Sequence, residues 1–435
     1  MRVIIIGAGV TGLATAYYLA RDGHDVTVMD VHGGAAMGAS FANGAQLSYS
    51  YVAPLAGPGV LPKVPPWLLR RDAPLRFKPT LDPDQWRWLI SFVLACTKGR
   101  SDLTTRRLLA LSFHSRALMH AFRAGPDGRD LEFGFATNGK LVVYSDTAEF
   151  DGARARLDDQ RALGCTQDGL DADACRTLEP ALADPQSALA QRLVGGIHTP
   201  SDEVGDCYQF CVGLERQLTA RGVQFLYGQR VRALMTHDGF AGAIAGVFTN
   251  DGVHSADAVV LASGAASPQL AKPLGIRLPV YPLKGYSITV PGSDRSPALS
   301  ITDAKKKIVY APLRSLGNGA PRLRIAGMAD IVGHDAAIDP ERLDQLITEA
   351  KAAFPNGAAN GFDPSGIDAW AGLRPATPRG TPILGATPIA NLFVNIGQGA
   401  LGWTLALGCG HVLADIMAGR PPAVPLDGLT LAQPD

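Results

Sequence analysis

Arg2-Val3-Ile4-Ile5-Ile6-Gly7-Ala8-Gly9-Val10-Thr11-Gly12 stands at the head of the chain, and Asp25-Val26-Thr27-Val28-Met29-Asp30 follows one helix-length later. Residues 2 to 7 form an unbroken apolar, β-branched run, the pattern of a parallel strand covered on both faces. Residues 11 to 22 read as a helix, and Gly23 stands where a helix terminates. Residues 25 to 30 read as a second strand. Between the strands the glycines have separate duties. Gly7 permits a tight turn, Gly9 lets the backbone approach a pyrophosphate, and Gly12 lets helix and strand pack closely. Val10 and Thr11 open the helix, whose free N–H groups and partial positive charge hold phosphates. Asp30 would accept hydrogen bonds from a ribose hydroxyl and repel a 2′-phosphate, which disfavours NADP. The stretch predicts a dinucleotide bound on a βαβ unit.

The remaining composition narrows the class. The 435 residues are 46% hydrophobic and 18% charged, so two domains with sizeable cores are expected. Forty basic residues balance forty acidic ones, leaving no overall field to attract nucleic acid. The six cysteines form no Cys-x-x-Cys unit. Cys207 and Cys211 could share a helical face but lack further ligands, so no metal is expected and free thiols in a reducing compartment are. Only four apolar residues, 3 to 6, precede Gly7, unlike a signal peptide. No run of the ~20 apolar residues needed for a span is evident. The expected place is the cytoplasm, either free or peripheral on the inner membrane.

Residues 51 to 84 carry eight prolines, with Trp67, Lys63, Arg70, Arg71, Arg76 and Lys78 among them, and read as irregular. Residues 85 to 97 then read as a helix, with Trp86, Leu89, Ile90 and Val93 on one face. A second helix is expected over 104 to 123 and another over 206 to 221. Short strands dominate from 224 to 327, a helix covers 340 to 353, and a strand, a glycine turn and a helix close the chain. The nucleotide-type elements lie at the start, middle and end. This predicts two interwoven domains: 1–50, 202–270 and 365–435 for the dinucleotide, and 51–201 and 271–364 for a substrate.

Two features favour FAD over NAD. Ser40, Asn43, Gly44 and Gln46 form a polar stretch suited to a pyrophosphate and a flavin edge. Gly397-Gln398-Gly399-Ala400-Leu401-Gly402-Trp403-Thr404 is a second glycine turn opening a helix. Its dipole could stabilise a reduced, anionic isoalloxazine. The plainer reading of that turn is close packing.

With these motifs in place, the sequence resembles the D-amino-acid dehydrogenase small-subunit family. That family is a branch of the FAD-dependent oxidoreductases that include D-amino-acid oxidase, glycine oxidase and sarcosine oxidase. Further matching stretches are Pro200-Ser201-Asp202-Glu203-Val204-Gly205-Asp206-Cys207, Val280-Tyr281-Pro282-Leu283-Lys284-Gly285-Tyr286-Ser287, Gly327-Met328-Ala329-Asp330-Ile331-Val332-Gly333 and Gly372-Leu373-Arg374-Pro375. The resemblance implies an α/β protein with an FAD-binding Rossmann-like domain of glutathione-reductase type, interleaved with a mixed-sheet α+β substrate domain. It extends the expected cofactor set to Leu47, Val231, Gly264, Gly397, Gly399, Leu401, Gly402, Trp403 and Thr404. Three positions depart from the family pattern: Asn43-Gly44-Ala45 where Asn-Ala-Gly is usual, Tyr49 where proline is common, and Arg379 where Asp is usual. Gly372 stands where sarcosine oxidases attach their flavin through cysteine, so FAD is expected to be non-covalent.

A carboxylate substrate calls for a planar, permanently charged fork, which arginine provides. Arg374 matches the carboxylate-binding arginine of the family, its alternative being a structural ion pair. Tyr310 and then Tyr286 are the next candidates, as phenols near the substrate carboxylate, and His334 could line the same cavity. The implied reaction is oxidative deamination of a D-amino acid, with hydride leaving Cα for flavin N5 and the imino acid hydrolysing in water. It depends on orientation more than on an enzyme base. The implied electron acceptor is a quinone or the respiratory chain. Two alternatives remain open: an oxidase of glycine, sarcosine or a D-proline derivative that uses oxygen, and a flavin-binding subunit without catalysis.

Overall fold

The computed structural model describes residues 1–63, 73–237, 242–315, 317 and 319–431. Trp67, Arg70 and Arg71 of the proline-rich segment lie outside the described residues.

The opening strand Arg2–Ile6 becomes the centre of a six-stranded sheet. Asp25–Met29 and Gln224–Leu226 extend it on one side, and Ala258–Leu261, Leu392–Ile396 and Ile383–Ala386 on the other. All neighbours are parallel except the last pair. Ile5 pairs with Val28 on one side and Val260 on the other, and all three side chains are inaccessible to solvent. That explains the apolar run without alternation: helices cover one face and a three-stranded antiparallel sheet formed by Ala233–Thr236, Ile244–Thr249 and Gly252–Ser255 packs on the other.

Helix Val10–Arg21 crosses the C-terminal helix Gly402–Met417 closely. A Cβ at Gly410 would lie 2.7 Å from the Ala14 carbonyl, so only glycine allows the crossing. Gly399–Met417 has the length and mean hydropathy of a membrane span, 19 residues at 1.3, where no such segment was expected. Two thirds of it is buried within the fold, and its apolar character is accounted for by packing on both sides.

The second sheet is a nine-stranded mixed one. Asp368–Ala376, Tyr281–Pro291, Arg322–Ile331, Ile308–Leu313 and Ser300–Asp303 run antiparallel in that order. Lys140–Tyr144 then joins in parallel, followed by Gly195–Thr199 and Asp168–Asp171, while Leu75–Phe77 pairs beside Arg322–Ile331. Helix Pro340–Ala353 packs on one face. The other face looks towards the first sheet.

Two segments sit elsewhere than their sequence neighbours suggest. Asp368–Ala376 falls inside the expected dinucleotide segment 365–435, yet it pairs over nine residues with Tyr281–Thr289 and belongs to the substrate sheet. A strand's membership is set by the partner that satisfies its backbone groups, which a linear boundary does not reveal. Helix Lys98–Ala124 falls in the expected substrate segment but packs against the C-terminal helix. Ser115 there accepts a hydrogen bond from the Gly408 N–H at 3.2 Å, beside Leu108, Leu111 and Leu405. All six cysteines are buried and free, with Cys207 and Cys211 in the core, and no metal-binding group occurs among the described residues.

Candidate active site

A cavity of about 1030 Å³ runs between the two sheets and is lined continuously from the turn at Gly7 and Gly9 to Arg374 and Thr404. At the nucleotide end, Gly7 has a φ of +115°, and a Cβ there would lie 2.5 Å from the Ala262 carbonyl oxygen. A Cβ at Gly12 would fall 1.9 Å from Gly7 O. Gly12 thus acts by close packing and does not itself line the cavity, a correction to its place in the expected contact set. Gly9, Val10 and Thr11 do line it. The Val10 N–H donates to Ser40 Oγ at 3.0 Å, so Ser40 closes the helix start from thirty residues away. Asp30 accepts from the Ala8 N–H at 2.7 Å and from the His32 N–H at 2.9 Å. The carboxylate therefore braces the phosphate turn while lining the cavity, with lone pairs left for a ribose.

The polar stretch lies across the second sheet. Asn43 Oδ1 accepts from the Ala45 N–H at 2.9 Å, closing a tight turn, and the Asn43 carbonyl accepts from Arg324 Nη1 at 2.9 Å. Ser287 Oγ donates to the Ala42 carbonyl at 2.6 Å. Gly44 sits on Val309, where a Cβ would come within 3.1 Å. The swapped order Asn43-Gly44-Ala45 now has a local consequence: Ala45 holds a left-handed φ of +56° that suits glycine better. Asn43, Gly44 and Gln46 line the cavity. Leu47 does not, because strand alternation turns its side chain into the nucleotide-domain core.

The C-terminal turn takes positive φ at Gly397 (+84°) and Gly399 (+56°), and a Cβ at Gly397 would meet Thr377 at 2.6 Å. No side chain caps the start of helix Gly402–Met417, which follows directly on the turn Gly399–Leu401 and carries the positive end of its dipole there. Leu401, Gly402 and Thr404 line the cavity there, and Val231 and Gly264 line it elsewhere. Trp403 reaches the wall, but its indole N–H donates to Gly205 O at 3.0 Å and its ring packs on Phe133 and Phe210, so its main work is structural.

Arg374 lies opposite Leu283 on the cavity face of the second sheet. Its guanidinium folds over Gly285, where a Cβ would sit 2.2 Å from Nη2. Nη1 donates to the Met328 carbonyl at 2.8 Å, and Met328 adopts a strained φ of +63° at an irregularity of the sheet. Among the described residues no carboxylate lies within ion-pair distance of Arg374. Burial pulls the guanidinium below its ordinary pKa, and Asp330 only partly offsets this. Asp330 is itself engaged by Arg342, at 2.5 Å, and by the Tyr286 hydroxyl, at 3.1 Å. Gly372 is glycine because Trp370 folds onto it: a Cβ would lie 1.8 Å from the indole ring.

The two tyrosines are placed differently from expectation. Tyr310 faces away from the cavity, 1% exposed, with its ring 4.8 Å from that of Phe354. Its strand neighbour Val309 lines the cavity instead, as the two-residue period of a strand requires. Tyr286 reaches the wall, but its hydroxyl is committed to Asp330. Neither phenol is aimed at Arg374. His334 does line the cavity, with Nε2 2.8 Å from Gln269 Nε2, and burial lowers its pKa.

Several wall residues escaped the sequence reading. Val60, Leu75, Trp88, Phe92 and Leu283 form one apolar cluster on the cavity wall, with Leu283 opposite Arg374 in the strand register. Trp88 donates to the Ala376 carbonyl at 2.8 Å and stacks on Phe92 at 5.3 Å. The sequence pattern points to Trp86, Leu89, Ile90 and Val93 as the face of this helix, but Trp86, Ile90 and Val93 are exposed and it is Trp88 and Phe92 that turn inward. Lys140 and Ser48 also line the cavity, and no local motif announces them.

These residues fit FAD: a glycine cradle, an uncapped helix start and a long cavity joining both to a buried arginine. Comparison with known proteins agrees. A family model described as FAD dependent oxidoreductase matches residues 2–416. The chain is 49% identical over 452 residues to D-amino acid dehydrogenase 2 of Ralstonia nicotianae, with 100% of both chains covered. It is 47% identical over 431 residues to D-amino acid dehydrogenase 2 of Pseudomonas aeruginosa, covering 98% of this chain and 97% of the relative. Among solved structures, glycine oxidase from Geobacillus kaustophilus superposes with a TM-score of 0.76 at 22% identity, covering 100% of this chain and 99% of that one. L-proline dehydrogenase from P. horikoshii gives 0.73 at 16%, covering 99% and 96%. At those identities the likeness concerns the fold, an FAD-binding Rossmann-like domain interleaved with a mixed-sheet domain. With the cradle, the cavity and a family match over almost its whole length, the chain belongs to the FAD-dependent oxidoreductases of the DAO family.

Proposed function

We propose that this protein is a D-amino-acid dehydrogenase, converting D-amino acids to 2-oxo acids and ammonia. The observation that carries the reading is Arg374, a buried guanidinium without a carboxylate partner among the described residues, on the wall of the same cavity as the dinucleotide turn. The names of the full-length relatives support it.

FAD, held non-covalently by the turn at Gly7 and Gly9, by Asp30, Asn43, Gly44 and Gln46, and by the turn leading to Thr404, supplies the two-electron acceptor. Arg374 binds the substrate carboxylate through the N–H groups left free by Met328, and that double contact fixes how Cα is presented. Val60, Leu75, Trp88, Phe92 and Leu283 receive an uncharged side chain and exclude water. Among the described residues no carboxylate stands within ion-pair distance of Arg374, which suits a reaction driven by orientation.

We assign the electrons to a quinone, with the protein peripheral on the cytoplasmic face of the inner membrane. Helix Pro83–Ala95 supports this: Trp86, Ile90, Val93 and Leu94 form an exposed apolar stripe on its outer side, next to the fully exposed Leu81, with Arg87 among them. Such a helix suits an interfacial position. The decisive experiment is anaerobic bleaching of the flavin absorbance with a panel of D- and L-amino acids, followed by turnover with a quinone analogue and with oxygen. Bleaching by D-isomers and preference for the quinone are expected. Bleaching by L-isomers alone overturns the stereochemistry, no bleaching overturns catalysis, and equal oxygen rates make it an oxidase.

A further inference from the structure

Lys140 is a second buried cation on the cavity wall, and the reaction just described does not use it. The residue is 3% exposed. Its ammonium donates to Gln46 Oε1 at 2.9 Å and to Ser48 Oγ at 2.8 Å, and stands 4.4 Å from the centre of the Tyr51 ring. All three partners line the cavity and all are neutral. No carboxylate lies within ion-pair distance among the described residues. The buried Asp202, beyond ion-pair distance, attracts the ammonium but does not offset the effect of burial, so holding the cation here is on balance unfavourable for the fold.

Its connections lead to the flavin side of the cavity. Gln46 Nε2 donates onward to Ser300 Oγ at 2.6 Å, which fixes the amide with its oxygen towards Lys140. The Ser48 N–H donates to Thr404 Oγ1 at 3.2 Å, in the first turn of the C-terminal helix. One lysine on the substrate sheet thereby holds the short strand Gln46–Leu47 and its neighbour Ser48 against the uncapped helix start. The positive end of that helix and the ammonium flank the same stretch of wall, and their fields add. Burial lowers the amine to about 8, so it still carries its proton at neutral pH.

We propose that Lys140 is a positioning residue for the flavin: it fixes the wall formed by Gln46 and Ser48 and places there a positive charge that favours the reduced, anionic ring. The inference rests on the flavin site and is independent of which amino acid is oxidised.

The test compares wild-type, K140M and K140R holoenzymes in an anaerobic dye-equilibration titration of the flavin potential. For K140M the equilibrium constant for two-electron reduction falls about tenfold, a potential lower by about 30 mV, while K140R stays at the wild-type value. A purely structural lysine would leave the potential of folded, FAD-loaded K140M unchanged, and that result overturns the proposal, as does an equal shift in K140R. If K140M retains no FAD, retention by K140R supports the charge and loss in both overturns it.

Discussion

Replacing Arg374 by methionine separates its two readings, because they predict opposite effects on stability. As a substrate ligand, Arg374 is a buried charge with no carboxylate at ion-pair distance among the described residues. Its Nη1 donates to the Met328 carbonyl at 2.8 Å. Truncating one partner of a buried, hydrogen-bonded charge pair costs about 2–5 kcal/mol of binding, or roughly 30- to several-thousand-fold in kcat/KM. Removing the charge from the empty protein relieves desolvation instead, so unfolding stability should hold or rise. Arg342 provides the internal contrast. It is 1% exposed and paired with Asp330 at 2.5 Å, so R342M should lose about 3–5 kcal/mol of stability. The assay is steady-state dye reduction with a D-amino acid, alongside thermal unfolding of the same FAD-loaded samples. An R374M protein that loses several kcal/mol of stability, or keeps its kcat/KM, refutes the assignment and makes Arg374 structural.

Ala45→Gly should raise stability by about 1 kcal/mol, measured by urea unfolding, because glycine holds the φ of +56° without strain; a loss would show that the strain is absent. Gly285→Ala should lower kcat/KM by more than tenfold with the fold retained, since its Cβ would displace the Arg374 guanidinium from 2.2 Å; circular dichroism and kinetics together check this. Lys140 has a folded pKa of about 8 against 10.5 for the free side chain. Between those values the unfolded chain binds more protons, so the contribution of Lys140 to stability rises with pH from about 8 to 10.5, by at most about 3 kcal/mol. Comparing wild type with K140M across that window tests it, Asp202 being the nearby acid that opposes the shift; a difference that does not change with pH would count against it. Trp86→Asp combined with Ile90→Asp should abolish co-sedimentation with anionic phospholipid vesicles while leaving dye-linked activity intact; retained binding would remove helix Pro83–Ala95 from the membrane contact.

The nucleotide half of this protein was legible because its determinants are local. Gly7, Gly9, Gly12 and Asp30 lie on one βαβ unit, and the steric demands that make Gly7 and Gly12 glycine arise from backbone near by or on the adjacent strand. The turn ending at Thr404 was legible for the same reason. Arg374 was recognised by resemblance, but only the tertiary structure supplied what surrounds it: Gly285 from the neighbouring strand, Met328 from the next, and, among the described residues, no carboxylate at ion-pair distance. The two-residue period that turned Tyr310 away and Val309 inward depends on which face of a nine-stranded sheet meets the cavity, a choice that one strand's sequence does not state. Lys140 lies 92 to 94 residues from its two hydrogen-bond partners. Sequence determined the chemistry that short segments carry by themselves. The fold decided which distant side chains share one cavity, because strand pairing and helix packing, not proximity along the chain, bring them together.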